Sequence, residues 1–140
     1  MMTNKFLTIF FLFISSVIYA QTKNGTKDNN DHSNDDHVLT YVEEMPEFPG
    51  GAAALNKFLA ENITYPSLAI DSGIQGKVIV DFVVRKDGKV TDVLLAKGIG
   101  FGCDEEALRV VKAMPLWKPG KQNGKFVSVS YRVPIKFTLH

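Results

Sequence analysis

Lys77-Val78-Ile79-Val80-Asp81-Phe82-Val83-Val84, then Arg85-Lys86-Asp87-Gly88-Lys89, then Val90 to Lys97, is the stretch that decides the fold of this 140-residue chain. Val78, Val80, Phe82 and Val84 recur every second residue, so strand geometry puts them on one face. Asp87-Gly88 supplies the positive φ angles of a tight hairpin turn between two β-rich runs. The stretch therefore predicts an antiparallel hairpin with one apolar face. Such a face is stable only under a cover.

The flanking residues supply that cover. Downstream, Gly98, Gly100 and Gly102 make a loop, and Asp104 is placed to cap a helix whose first turn carries Glu105 and Glu106. Its apolar stripe is Ala107, Leu108, Val111 and Met114, and Pro115 ends it. Upstream, Phe48-Pro49-Gly50-Gly51 is turn material, and Ala52 to Ala60 reads as a second helix through Ala52, Leu55, Phe58 and Leu59. Tyr65-Pro66 marks a fresh start, with one short helical turn over Ser67 to Asp71.

The last segment alternates most cleanly. Val127, Val129, Tyr131, Val133, Ile135, Phe137 and Leu139 are apolar, with Ser128, Ser130, Arg132, Lys136 and Thr138 between them. This predicts a strand with one buried and one wet face. Pro134 lacks an amide proton, which places the strand at a sheet edge. The fold class is α+β, a two-layer sandwich. Its three-stranded antiparallel sheet has one face covered by two main helices.

The order of these signals carries a resemblance. Tyr65-Pro66, Gly73-Ile74-Gln75-Gly76-Lys77-Val78, Asp87-Gly88, Glu106-Ala107-Leu108-Arg109-Val110-Val111, Met114-Pro115-Leu116-Trp117-Lys118-Pro119-Gly120-Lys121-Gln122 and Val133-Pro134-Ile135 follow one another. The series resembles the TonB C-terminal domain family, the periplasmic part of the energy transducer of outer-membrane import. Met45-Pro46-Glu47-Phe48-Pro49-Gly50-Gly51 extends the likeness to the short Bacteroidetes-type proteins of that family, so that it covers the chain from Val42 onward. The resemblance agrees with the strand order 2-1-3, the second hairpin strand lying outermost and the first between it and the C-terminal strand.

Residues 1–20 read as an address: Lys5, an apolar run from Phe6 to Ile18, and Tyr19-Ala20 ahead of Gln21 describe a secretory signal peptide or a short anchor. The expected location is the periplasm, with inner-membrane attachment if the segment is not cleaved. Residues 21–41 are expected to form a disordered polar linker, because Gln21 to Asp36 holds no apolar residue able to offset chain entropy. The domain then occupies residues 42–140.

Basic and acidic residues number 16 and 15, a balance that calls for neither nucleic acid nor anionic lipid. Cys103 is the single cysteine, so the chain has no intramolecular disulfide; a buried apolar role ahead of the helix suits it better than a reactive one. His32, His37, Asp31, Asp35 and Asp36 match no metal-ligand spacing, and no metal or other cofactor is expected. Glu105 and Glu106 are consecutive on a helix and cannot act as a facing carboxylate pair. Trp117, between Pro115 and Pro119, reads as a core anchor more readily than as a ligand platform. The chain reads as a binding protein and not as an enzyme.

An exposed strand edge offers unpaired N–H and C=O groups to an extended peptide. The resemblance implies that the peptide is the TonB box of an outer-membrane transporter, added beside the C-terminal strand. If Pro134 faces the free side, then Phe126, Ser128, Ser130 and Arg132 face it too, and these are the candidate partner-binding residues. Motor proteins of the inner membrane become partners only if the N-terminal segment stays uncleaved. That segment holds no ionisable residue suited to motor coupling, and no Pro-rich span follows it. The competing reading is a structural or self-associating envelope protein that uses the same edge to form homodimers.

Overall fold

The structure, a computed structural model, describes residues 37–140. The expected leader over residues 1–20 and the expected linker up to residue 36 lie outside the described residues. Pairing starts at Val38–Leu39 (β1), ahead of the Val42 boundary. There follow helices α1 (Gly51–Asn62) and α2 (Ser67–Asp71), strands β2 (Gly76–Val84) and β3 (Val90–Lys97), helix α3 (Cys103–Lys112), and strands β4 (Gly120–Gln122) and β5 (Lys125–Phe137).

The core sits between the helices and one sheet face. Val78, Val80, Phe82 and Val84 of β2 are all buried, as the alternation requires, beside Val133, Ile135 and Phe137 of β5. Leu55 and Leu59 of α1 and Ala107, Val110 and Val111 of α3 close over them. Each of the Val, Leu, Ile and Phe side chains among them contributes about 1.5–3 kcal/mol by leaving water. Val110 is a core residue absent from the expected stripe, while Leu108 and Met114 pack only at its margin.

The fold class is α+β, but the sheet differs from the expected one. The order β3-β2-β5 is present among the three antiparallel strands, yet the sheet has five strands and is mixed, because β1 lies parallel to β5 and β4 pairs with β5 as well. The physical reason for β4 is Asn123-Gly124. Both residues take left-handed φ angles, 51° and 72°, and make a two-residue turn that folds Gly120–Gln122 back onto Lys125 to Val127.

The Asp87-Gly88 turn also departs from expectation. Gly88 alone has positive φ. Its N–H donates to the Arg85 carbonyl at 2.8 Å, and the Arg85 N–H donates to the Lys89 carbonyl at 2.8 Å. The hairpin therefore closes through a turn ending in one left-handed glycine. Asp104 likewise has another task. It lies inside α3, whose N-cap is Gly102, and its carboxylate accepts from the N–H groups of Ile99 and Gly100 at 2.8 and 3.1 Å. Cys103 beside it is fully buried, and burial followed by the nearby Asp104 and Glu105 carboxylates pushes its thiol pKa up. That suppresses the thiolate.

Glu106 ties α3 to the end of α1. It accepts from the Thr64 N–H at 2.8 Å and from Arg109, whose guanidinium also donates to the Asn62 carbonyl at 2.8 Å. The Arg109 hydrogen bond, with a smaller part from Thr64, holds the Glu106 carboxyl below its ordinary value. A depressed folded-state pKa stabilises above the unfolded value and is lost as pH falls through the folded one. Glu106→Gln should therefore lower the thermal midpoint near neutral pH, and its deficit against wild type should shrink on acidification below about pH 4. A deficit that stayed constant across that range would contradict the linkage.

Candidate functional site

β5 carries the candidate site. β2 pairs with it from Val129 to Phe137, and β1 pairs with it at Ser128 and Val129. Since Val129 has both partners, β1 lies on the side of β5 away from β2. Among the described residues nothing pairs with that outer side beyond Val129, so the edge opens from Ser130 onward.

The four predicted residues are divided by this arrangement. Phe126 sits in the β4–β5 hairpin opposite Lys121; its ring is 54% exposed, with the Lys121 ammonium 4.9 Å from the ring centre. Ser128 was expected on the wet face, but it is only 1% exposed. It stands opposite Val38 of β1, and its Oγ accepts from the Lys86 N–H at 3.3 Å. The Arg85–Gly88 turn folds close over that end of the strand and dries it. Ser130, opposite Val83, and Arg132, opposite Asp81, lie on the open stretch.

The Arg132 side chain is committed across the sheet. Its guanidinium donates two bonds to Asp81, at 2.6 and 2.8 Å, and this pairing holds the Asp81 carboxyl below the usual carboxylate range. At the edge, Arg132 offers its backbone. Such a pair is largely exposed and contributes little to stability.

Beside the open stretch runs a cleft of about 410 Å³, lined by Asn56, Leu59, Ala60 and Ile63 of α1 and its exit and by Pro134 and Lys136 of β5. No local sequence pattern announces it, because it forms between segments about 75 residues apart in the chain. β1 escaped sequence reasoning for a related reason: two residues carry no periodicity. The other sheet edge, β3, is irregular. Its register to β2 shifts twice, and Asp92 takes φ 51°. Bulges of this kind spoil an edge for strand addition. Among the described residues no cluster of His, Cys, Asp and Glu could hold a metal ion, and no helix is long and apolar enough to cross a membrane.

Two solution structures of Helicobacter pylori TonB-CTD are similar to this chain. That of residues 194–285 is 25% identical, covers 61% of this chain and 90% of its own, and has a TM-score of 0.48. That of residues 179–285 is 24% identical, covers 66% and 87%, and scores 0.47. The Pseudomonas aeruginosa TonB CTD is 23% identical, covers 56% and 81%, and scores 0.41. No curated protein matches the chain. The sequence pattern described as Gram-negative bacterial TonB protein C-terminal matches residues 61–139, more than half of the chain, and the chain belongs to that family.

Proposed function

We infer that this domain is a periplasmic capture module, taking the TonB box of an outer-membrane transporter as an added strand on the outer edge of β5. The observation that carries this reading is the open stretch from Ser130 to Phe137 beside the α1 cleft. Backbone pairing supplies affinity in this mode, and a pocket for alternate side chains supplies selectivity.

Strand parity supports the choice of residues. Pro134 stands opposite Ile79 and has no N–H to give it, which suits a position whose backbone points away from β2. The β4–β5 turn gives the same parity, because the pair closing a two-residue hairpin, Gln122 and Lys125, is the bonded one. The even residues Phe126, Ser128, Ser130 and Arg132 then direct N–H and C=O outward, and the odd ones direct theirs inward.

Two proline substitutions test the reading. Ser130→Pro should remove one outward donor, weaken binding of a short extended peptide of alternating Thr and Val with acidic ends by tenfold or more, and shift the thermal midpoint little. Val129→Pro should break an inward bond at a position buried in the sheet and cost about 3 kcal/mol or more. Titration calorimetry and thermal unfolding of both proteins decide it. If Ser130→Pro unfolds the domain while Val129→Pro does not, the even residues face inward and the proposed edge is wrong.

A further inference from the structure

We propose that β1 is an internal occupant of the docking edge, a strand that must leave before a partner peptide can pair with the full row of outward donors. The inference rests on the strand-addition reading above and concerns its regulation. It starts from a strand that is already added to this edge, the chain's own Val38–Leu39, lying parallel to β5 at Ser128 and Val129.

The row of outward donors shows why β1 and a peptide compete. Phe126, Ser128, Ser130 and Arg132 give four successive outward N–H groups, and Pro134 interrupts the series before Lys136. A peptide confined to the stretch beyond β1 meets only the Arg132 donor before the gap at Pro134, because the parallel register of Leu39 with Val129 gives the Ser130 N–H to the Leu39 carbonyl. The longest unbroken ladder needs Ser128, and β1 stands opposite it. Beyond Leu39 the chain turns off the edge through Thr40 and Tyr41, beside the start of the open stretch.

β1 is also built to detach. It has two residues; Val38 is 40% exposed, and neither Val38 nor Leu39 belongs to the buried cluster under the sheet. The next residues, Thr40 and Tyr41, are exposed, Tyr41 by 83%, and the first firmly buried side chain is Val42. Val42 packs against β4, 3.2 Å from where a Cβ at Gly120 would sit, and the chain after it pairs with β4 through Glu44 and Lys121. Release of Val38–Leu39 thus costs a short run of backbone pairing and little apolar burial. Such short, exposed pairings occupy the low-stability end of a fold.

A partly occupied edge lowers apparent affinity by the fraction of molecules in which it is free. The double substitution Val38→Pro and Leu39→Pro removes the one N–H, that of Leu39, that faces β5 and disfavours the pairing on both residues without touching the core, and should tighten binding of the alternating Thr/Val peptide about fivefold. A second protein, Val38→Cys with Ser128→Cys, traps β1 when oxidised. It should bind more weakly when oxidised than when reduced, and because both states carry the same Ser128→Cys change, the comparison within one molecule controls for folding and for that change at the edge. Equal affinity of the wild type and the double-proline protein, with Ser130→Pro still abolishing binding, would overturn β1 as an occupant and leave the docking edge standing. Absence of peptide binding in every one of these folded proteins would overturn the edge itself, and this inference with it.

Discussion

Trp117→Ala destabilises the domain by about 3–5 kcal/mol, the range for losing a large buried aromatic ring. For a domain near a hundred residues that corresponds to a fall in thermal midpoint on the order of 15–30 °C. Trp117 is 3% exposed and lies in the segment between α3 and β4. Its ring meets Phe48 from the lead-in to α1 at 5.6 Å, Phe82 of β2 at 5.3 Å and Tyr131 of β5 at 5.0 Å, all near edge-on. One side chain therefore joins four parts of the chain, and truncation leaves a cavity that none can fill alone. The indole Nε1 is buried and has no hydrogen-bond partner. Its contribution is packing, and Trp117→Phe should recover more than half of the loss. Thermal unfolding followed by circular dichroism measures both variants. An alanine protein of wild-type midpoint that no longer binds peptide would make the ring a ligand platform.

How far the sequence could be read depends on the range of each signal. The β2–β3 hairpin is legible because alternation and a Gly turn are both local, and the buried row Val78, Val80, Phe82, Val84 follows from parity alone. Asn123-Gly124 is an equally local signal for the β4–β5 hairpin. It lies in a polar run, Lys121 to Lys125, and without apolar flanks it did not stand out. The candidate site was legible in its parity and not in its occupancy. Ser128 has the polar identity of a wet-face residue, yet the turn from Lys86 and the pairing from Val38 both reach it, one 42 and the other 90 positions away. The cleft against α1 is tertiary in the same sense. Sequence pattern reports the face a residue points to, whereas the neighbours arriving there are set by topology.

Gly88→Val costs about 3 kcal/mol or more, from two causes that can be separated. Gly88 holds φ at 88°, where a β-branched residue is strained by about 1–3 kcal/mol. A Cβ built at this position would also lie 2.2 Å from the Trp117 carbonyl oxygen, a backbone atom that cannot swing aside. That approach exists because the Gly88 carbonyl accepts from the Trp117 N–H at 2.8 Å, tying the β2–β3 turn to the segment that carries the ring. Gly124 is the internal control: its φ is 72°, but a Cβ there meets nothing within 4 Å. Gly124→Ala should therefore show the conformational cost alone, about 1 kcal/mol. Gly88→Ala should add the clash, exceed it by about 1–2 kcal/mol, and retain the urea m-value if the denatured state is unchanged. Urea unfolding of the three variants gives the order Gly124→Ala, Gly88→Ala, Gly88→Val by increasing loss. If the two alanine variants are equally stable, the turn does not press on Trp117 and the loss at Gly88 is backbone strain only.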